Sequence, residues 1–438
     1  MCILKLNYGR KSMADMIIGI IGFGTVGTGV AKILLNDRAM LEQRAGCKIE
    51  LKRIADLDVT TDRGIALPEG MLVSDANAII ADADINTVVE VIGGENAAKK
   101  FIEAALAAGK NVITSNKEVI AKHGKHFTAL AKQHNCTILY EAAVGGGIPV
   151  LHAIRNSLAA NNIERLYGIV NGTTNFILSK MTATGADFSE TLREAQDLGY
   201  AEADPKNDVE GYDATYKLAI LASLAFRCTV DYREIYREGI THITADDIAA
   251  AKFFGYTIKI LAVGVNREDG LELRVHPVMV SDDHPLASVH DAFNAIFIRG
   301  SSLGDSMLYG RGAGELPTAS AVVGDVMNLA FRGSSGFSHD TDFALAERKV
   351  LPIDESITSF FVRCVVNDAP GVLASYANIF AKYKVSIHNI RQMDARNGEA
   401  TITIITHPTR EAEMRAALAE IEQLPTVRRV ASVIRAGL

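Results

Sequence analysis

A run of apolar residues, Met16-Ile-Ile-Gly-Ile-Ile21, leads directly into Gly22-Phe23-Gly24-Thr25-Val26-Gly27 and then into a helical pattern that lasts to Leu35. No other stretch constrains the fold as strongly. Strand, G-x-G-x-x-G turn and helix open a dinucleotide-binding domain. The first glycine permits the tight turn, the second lets backbone approach a pyrophosphate, and the third lets helix and strand pack closely. The helix N-terminus then offers free amides and a positive dipole end to phosphate. Strands are expected at Ile49–Ala55, Thr87–Ile92, Asn111–Thr114 and Thr137–Ala142, with helices over Ala97–Ala108 and Val119–Gln133. That alternation predicts an α/β, doubly wound parallel sheet across residues 16–142, with Gly22, Phe23, Gly24, Thr25, Val26 and Gly27 against the cofactor.

The second strand should end on the residue that reads the adenosine ribose, here in Ala55-Asp56-Leu57-Asp58. An acid such as Asp56 accepts the ribose hydroxyls and repels a 2′-phosphate, which favours NAD. Arg53 and Arg63 lie close by and keep NADP open.

Composition narrows the class. The chain has 438 residues, 48% hydrophobic and 22% charged, enough apolar material for several cores. A net charge of −7 argues against nucleic acid as the main partner. Cys2, Cys47, Cys136, Cys228 and Cys364 show no Cys-x-x-Cys spacing, so a reducing cytoplasm is expected. The most apolar early stretch, Ile17 to Ala31, contains five glycines and falls short of the ~20 residues of a membrane span. Met13 and Met16 are candidate starts, which leaves residues 1–15 open, and a soluble chain is expected.

The rhythm changes at Gly145-Gly-Gly147. Helical patterns at Val150–Ala160, Thr174–Thr184, Leu192–Leu198 and Ala214–Ala225 mix with strand-like Leu166–Asn171 and Ile258–Val265, which predicts a mixed α+β domain over residues 143–330. Residues 331–356 read as a return segment and linker, so the remainder should be separable after about Glu347. Residues 357–438 follow a β-α-β-β-α-β order, that of a small ferredoxin-like domain. His276-Pro and His284-Pro read as turns, and His123 and His126 as solvent-facing neighbours.

Three features converge on a site. Thr114-Ser115-Asn116-Lys117 follows the fourth strand, where ligands gather in parallel sheets. Tyr140-Glu-Ala-Ala-Val-Gly-Gly-Gly-Ile-Pro149 is the second. The third, Ala195 to Lys217, packs Glu202, Asp204, Asp208, Glu210, Asp213 and Lys217 around Gly199, Pro205 and Gly211, with Asp213 and Lys217 at i and i+4 on one helix face. A surface pair of that kind would contribute little.

The third feature resembles the signature of homoserine dehydrogenase, through Gly199-Tyr200-Ala201, Asp204-Pro205, Asp208-Val209, Gly211-Tyr212-Asp213 and Lys217. Asn171-Gly-Thr-Thr-Asn175 and Arg311-Gly-Ala-Gly314 are similar to further family motifs. Residues from about 357 onward resemble an ACT domain, with Asp368-Ala-Pro-Gly-Val-Leu373 at its first strand–helix turn. The resemblance implies reversible NAD(P)H-dependent reduction of aspartate 4-semialdehyde to homoserine, a step towards threonine and methionine. It implies Lys217 as the acid/base lysine, Lys117 as a second active-site lysine, and Glu202, Asp213 and Asp208 around the substrate's amino end. It adds Ile92, Gly93, Ser115, Lys117, Gly199 and Gly314 to the cofactor contacts. It also implies a sodium site at Glu141, Val144, Gly146 and Ile148, an amino-acid effector such as threonine at Asp368, Gly371 and Asn389, and a homodimer or homotetramer. One departure bears on the cofactor: Leu57 stands where some NADP-using members carry an arginine. Other readings are a dehydrogenase for a different amino-acid semialdehyde, or a non-catalytic ACT-based sensor.

Overall fold

A computed structural model describes residues 15–332, 346–396 and 398–438. The chain divides into two compact units, one running to Asn156 and resuming at Ala313, the other taking Ser157–Gly312 and the residues from Leu345 to Leu438.

The first unit is built on six parallel strands: β1 (Met16–Ile21), β2 (Ile49–Ala55), β3 (Leu72–Val73), β4 (Thr87–Glu90), β5 (Asn111–Thr114) and β6 (Ile138–Leu139), in the order β3-β2-β1-β4-β5-β6. Helices α1 (Thr25–Asn36), α2 (Arg38–Ala45), α3 (Asn77–Ala81), α4 (Asn96–Ala107) and α5 (Lys117–Gln133) make the connections. The doubly wound sheet predicted from periodicity is present. The expected strand over Thr137–Ala142 is shorter, because a 3₁₀ turn at Glu141–Ala143 ends it and the Glu141 amide donates to Asp325 at 2.8 Å. The expected helix over Val150–Ala160 is α-helical only at α6 (Val150–His152) and widens into a π turn at Ala153–Ser157.

The second unit carries α7 (Gly172–Thr184), α8 (Phe188–Asp197), α9 (Lys206–Val209), α10 (Tyr212–Ala225) and α11 (Ala245–Phe253). Its strands are β7 (Ile163–Ile169), β8 (Cys228–Thr229), β9 (Tyr236–Arg237), β10 (Tyr256–Arg267), β11 (Gly270–Ser281), β12 (Phe293–Gly300) and β13 (Gly304–Arg311). In β11 nearly every side chain is buried, and in β10 the central run Ile258–Gly264 is, as expected of strands covered on both faces. His276, read from sequence as a turn residue, is fully buried inside β11 opposite Leu261. His284 does open a turn, capping the Pro285–Ser288 3₁₀ helix. His123 and His126 face Glu95 and Glu103 at 2.8 and 3.0 Å.

The predicted second domain does not run continuously to residue 330. Helix α12 (Glu315–Arg332) belongs to the first unit, where its apolar face joins the Rossmann core through Ala319, Val322, Val323 and Val326. Gly29 of α1 makes this possible, since a Cβ there would lie within 3 Å of the Glu315 carbonyl oxygen and the Ala319 methyl.

Residues 333–345 lie outside the described residues. The rest of the expected linker is ordered chain. Strand β14 (Ala346–Glu347) pairs with β8, and Leu351 is buried and its amide donates to the Leu271 carbonyl at 2.8 Å, while the Leu271 amide donates to the Lys349 carbonyl. Beyond it come β15 (Ile357–Asn367), α13 (Val372–Lys382), β16 (Ile387–Arg396), β17 (Glu399–Thr406), β18 (Thr409–Arg410), α14 (Glu411–Ile421) and β19 (Val427–Ala436), the predicted β-α-β-β-α-β order with one added short strand. This domain has its own core around Phe360, Val362, Tyr376, Phe380 and Ile404. Its sheet is not separate. β19 pairs parallel to β11 at Val278↔Arg435 and Met279↔Ala436, so one sheet runs β13-β12-β7-β10-β11-β19-β15-β17-β16. Among the described residues no helix is long and apolar enough to cross a membrane.

Candidate active site

The first unit gathers its ligand-facing groups at the carboxyl ends of β1, β2, β4 and β5. Gly22 has φ +104° and its amide donates to the Ala55 carbonyl at 2.8 Å, which sets the turn. A Cβ on Gly27 would run into the Gly22 carbonyl oxygen, whereas one on Gly24 would meet nothing within 4 Å. Gly24, at the N-cap of α1, is therefore the open face of the loop. Phe23, Thr25 and Val26 complete it.

Asp56 sits at the end of β2 and is tied to the loop. Its Oδ2 accepts the Phe23 amide at 2.5 Å and its Oδ1 accepts the Asp58 amide at 2.9 Å. The Arg63 guanidinium stands 3.7 Å from Asp56 and 3.4 Å from Asp58, over the Phe23 ring at 4.9 Å. Arg53 points instead to Asp82, at 3.9 Å, and Leu57 is 94% exposed.

Glu90 is a residue that the sequence reading missed. It is fully buried at the end of β4, accepting the Thr114 hydroxyl at 2.6 Å and the Ile92 amide at 2.9 Å. Burial pushes its carboxyl above the usual range. It thereby joins two strand ends and shapes the turn at Gly93 and Gly94, both in the left-handed region. An acidic residue closing an apolar strand was the available signal. Asn116 caps α5 through the Val119 amide and donates to the Gly94 carbonyl at 2.6 Å, which places Ser115 and Lys117 beside that turn. Gly314 (φ +117°) precedes α12, and so belongs to this unit.

The second unit holds a compact polar cluster. Asn171 lies two residues past the end of β7 and caps α7, its Oδ1 accepting the Thr174 amide at 2.9 Å. Its Nδ2 donates to Asp208 Oδ1 at 2.7 Å and to Asp213 Oδ2 at 2.9 Å. Lys217 Nζ donates to the same Asp213 oxygen at 2.6 Å and to the Val170 carbonyl at 2.7 Å. The i, i+4 pair is no surface pair: its side chains are 13% and 7% exposed. Burial, and then the neighbouring Asp213 charge, push the Asp208 carboxyl up. Gly211, at φ +80°, is the N-cap of α10 and turns the chain between the two aspartates. Asp213, Asp208 and Lys217 are thus brought together with Asn171. Glu202 and Gly199 are exposed beyond α8 and outside this cluster, with the Glu202 carbonyl accepting from Gln196 at 3.1 Å.

These two constellations find counterparts in known proteins. A family description, homoserine dehydrogenase, matches residues 149–327, its NAD-binding domain matches 22–141, and an ACT domain matches 360–426. The homoserine dehydrogenase of Synechocystis is 44% identical over 428 residues, covering 95% of this chain and 98% of its own. The chain belongs to the homoserine dehydrogenase family. A homoserine dehydrogenase from Thiobacillus denitrificans has the same fold, with a TM-score of 0.92 at 38% identity over 97% of this chain and 99% of its own. A hyperthermophilic archaeal homoserine dehydrogenase mutant, solved with NADPH, covers 73% of this chain and 98% of its own at 28% identity and a TM-score of 0.61.

The activity is therefore homoserine dehydrogenase, an NAD(P)-dependent oxidoreductase reaction, rather than another semialdehyde reduction or sensing alone. The nicotinamide cofactor belongs to the first unit, whose glycine turn is matched by the NAD-binding domain.

Proposed function

We propose that Lys217 is the proton donor in the reduction of aspartate 4-semialdehyde, with Asp213 and Asn171 holding it and Asp208 facing the substrate's ammonium. The Asn171–Asp213–Lys217 arrangement carries this reading. When bound, the reduced nicotinamide supplies hydride to the aldehyde carbon. Negative charge then develops on the carbonyl oxygen, and an ammonium aimed at it stabilises the charge and donates a proton. Two of the three Lys217 N–H bonds go to Asp213 and Val170, which fixes the axis of the third. Asp213 therefore serves the lysine first. Glu202, exposed on the loop, supplies a second anion for the ammonium, and Lys117, the first residue of α5, is the second lysine of the proposed activity. Replacing Lys217 with Ala lowers kcat by ~100-fold or more, while fluorescence titration still shows cofactor binding. Wild-type turnover in that variant would reject the assignment.

For the cofactor, Asp56 suits ribose hydroxyls and favours NAD, with Arg63 beside it as the group that tolerates a 2′-phosphate. Gly22, Gly24, Ile92, Gly93, Ser115, Gly199 and Gly314 complete the proposed contacts. A sodium ion fits the Glu141–Ile148 turn by its donor chemistry: carbonyls of Val144, Gly146 and Ile148 are hard oxygen ligands, and consecutive left-handed glycines at 145 and 146 turn the backbone there. The Glu141 carboxylate already accepts the Leu151 and His152 amides at 2.8 and 2.7 Å, so it supplies charge to the turn as well as a cap to α6. The ion would brace the turn.

The outer strand β13 exposes Met307 and Tyr309 and has no further strand beside it among the described residues, which supports a homodimer formed there. Gly371, at φ +91° and the N-cap of α13, with exposed Asp368 in the turn before it, supports an amino-acid effector site in the ACT domain, threonine being the proposed ligand. Asn389, expected at the same site, pairs with Ile405 and so lies level with Phe361, ~20 Å along the strands from Asp368, and is not brought to that turn. Cys47, Cys136, Cys228 and Cys364 are free thiols, as suits a cytoplasmic setting.

A further inference from the structure

The two-residue strand β9 touches the substrate segment on one side and the C-terminal domain on the other. Its neighbour is β11, with Arg274 opposite Tyr236 and Val275 opposite Arg237, and the Glu238 amide continues the ladder to the Val275 carbonyl at 2.8 Å. Side chains alternate across a strand, so Tyr236 and Glu238 share one face and Arg237 takes the other.

On the first face the partner is Arg435, from the last strand of the chain. Its guanidinium donates to Glu238 Oε2 at 2.8 Å and to the Tyr236 hydroxyl at 3.3 Å, while a bidentate pair at 2.8 and 2.6 Å ties it to Glu411 of α14. Arg435 and Glu411 are both buried, so neither charge has water as an alternative partner. Against the upward push of burial, the His242 hydrogen bond and the Arg435 charge hold the Glu238 carboxyl down at about 2.

On the opposite face Arg237 reaches the turn between the two aspartates. Its Nη1 donates to the Glu210 carbonyl at 2.6 Å, and its guanidinium lies 3.4 Å from the centre of the Tyr212 ring. Tyr212 is the first residue of α10, directly before Asp213, and Glu210 follows Asp208 by two. Backbone contact reinforces this grip: the Ile240 amide donates to the Val209 carbonyl at 2.9 Å, and a side chain on Gly239 would run into that same oxygen. The stretch from 209 to 212 is therefore clamped by β9 together with Gly239 and Ile240, in addition to the backbone bonds of its own short helix.

We propose that Arg237 is a positioning residue for the Asp208–Asp213 turn, and that β9 carries the state of the C-terminal domain to that turn through Glu238 and Arg435. The inference rests on the reading of Asp208, Asp213 and Lys217 as the substrate site. Any effector that shifts β19 or α14 then changes how Arg237 holds the turn, and substrate affinity responds before cofactor affinity does.

The test is steady-state kinetics on the full-length chain with aspartate 4-semialdehyde and reduced cofactor, for wild type, Arg237→Gln, Arg237→Lys, Glu238→Gln and the double Gln variant. Arg237→Gln is expected to raise KM for the aldehyde about tenfold with the cofactor KM within about twofold, and Arg237→Lys to recover part of that loss. Glu238→Gln should raise the same KM about threefold, and the double variant should resemble Arg237→Gln rather than the product of the two, because both act through one strand. Hydrogen exchange at the amides of residues 206–213 should quicken in Glu238→Gln, a readout independent of turnover. A wild-type aldehyde KM and unchanged exchange in Glu238→Gln, multiplying effects in the double variant, or a cofactor KM rising in step with that of the aldehyde would each overturn the relay. Absence of wild-type turnover with aspartate 4-semialdehyde would overturn the substrate reading instead, and exchange would still decide the relay. If Arg237→Gln fails to fold, Arg237→Lys and Glu238→Gln carry the same comparison.

Discussion

Asn171 holds Asp208 and Asp213 with one amide group, while the other asparagine of the same five-residue motif, Asn175, donates to the Asp291 and Phe293 carbonyls at 2.9 and 3.1 Å. One serves the site and the other closes a loop. Beside Asn175 lies Lys259, fully buried, its ammonium donating to the Val289 carbonyl at 2.5 Å and to Asn175 Oδ1 at 3.1 Å. Burial drives its pKa down to about 8, with only the charge of Asp291 opposing. The sign follows from linkage: between about pH 8 and the unfolded lysine's ~10.4, the unfolded chain binds the extra proton, so stability rises with pH across that window. Relative to Lys259→Met, the wild type should gain up to roughly 3 kcal/mol from pH 7 to pH 10 in denaturant unfolding, and a constant difference would contradict it. A second prediction at this scale concerns Asp56. Asp56→Ser removes an anion opposing a 2′-phosphate and leaves Arg63 in place, so the ratio of kcat/KM for NADP over NAD should rise about tenfold, ~1.4 kcal/mol. Arg63→Gln should move that ratio the other way; no movement in either variant would place cofactor choice elsewhere.

Among elements, the glycine turn and α1 show how closely a sequence pattern can dictate contact. Gly27 sits where any Cβ would meet the Gly22 carbonyl oxygen, and that carbonyl belongs to the residue whose amide anchors the turn on Ala55. Gly27→Ala must therefore push α1 off the turn. Cofactor affinity should fall by at least ~10-fold, measured by fluorescence titration, with a smaller effect at the open Gly24. Equal affinities in the Gly27 variant and the wild type would mean the helix has room to move. Other elements were illegible for a plain reason. Strand β9 has two residues, too short for any periodicity, and in β13 no residue is buried and the apolar ones, Met307-Leu308-Tyr309, are consecutive, so its sequence shows no apolar alternation. Helix α12 carries a clear apolar stripe, yet nothing along the chain says that Gly29 of α1 receives it.

At the scale of the whole chain, the ACT domain is welded to its neighbour rather than hung from a linker. Cutting after about Glu347, the boundary that composition suggests, would strip β19 from β11 and leave Glu238 and Tyr236 without Arg435. Breaking a buried ion pair costs several kcal/mol, so the truncated protein should melt ~5 °C or more below the intact one and bind the aldehyde less tightly. A truncated chain with the intact melting temperature would show the junction to be energetically idle. Point variants are the cleaner probe of regulation. Calorimetry of the intact protein should show heat with millimolar threonine, lost in Asp368→Ala; no heat and unchanged rates with threonine would leave the domain structural.

Local spacing by itself determined the Rossmann half, the glycine turn, the Asp213–Lys217 helical pair and the order of elements in the C-terminal domain, because each depends on residues within one or two turns or strands of each other. Only tertiary structure decided that Asn171, some forty residues upstream, orients that pair, that Glu90 braces the cofactor turn, that α12 returns to the first unit, and that Arg435 reaches β9. Those contacts join residues from about 24 to nearly 300 positions apart. A buried charge must find its partner in space, and a one-dimensional pattern of apolar and polar residues does not say which partner that is.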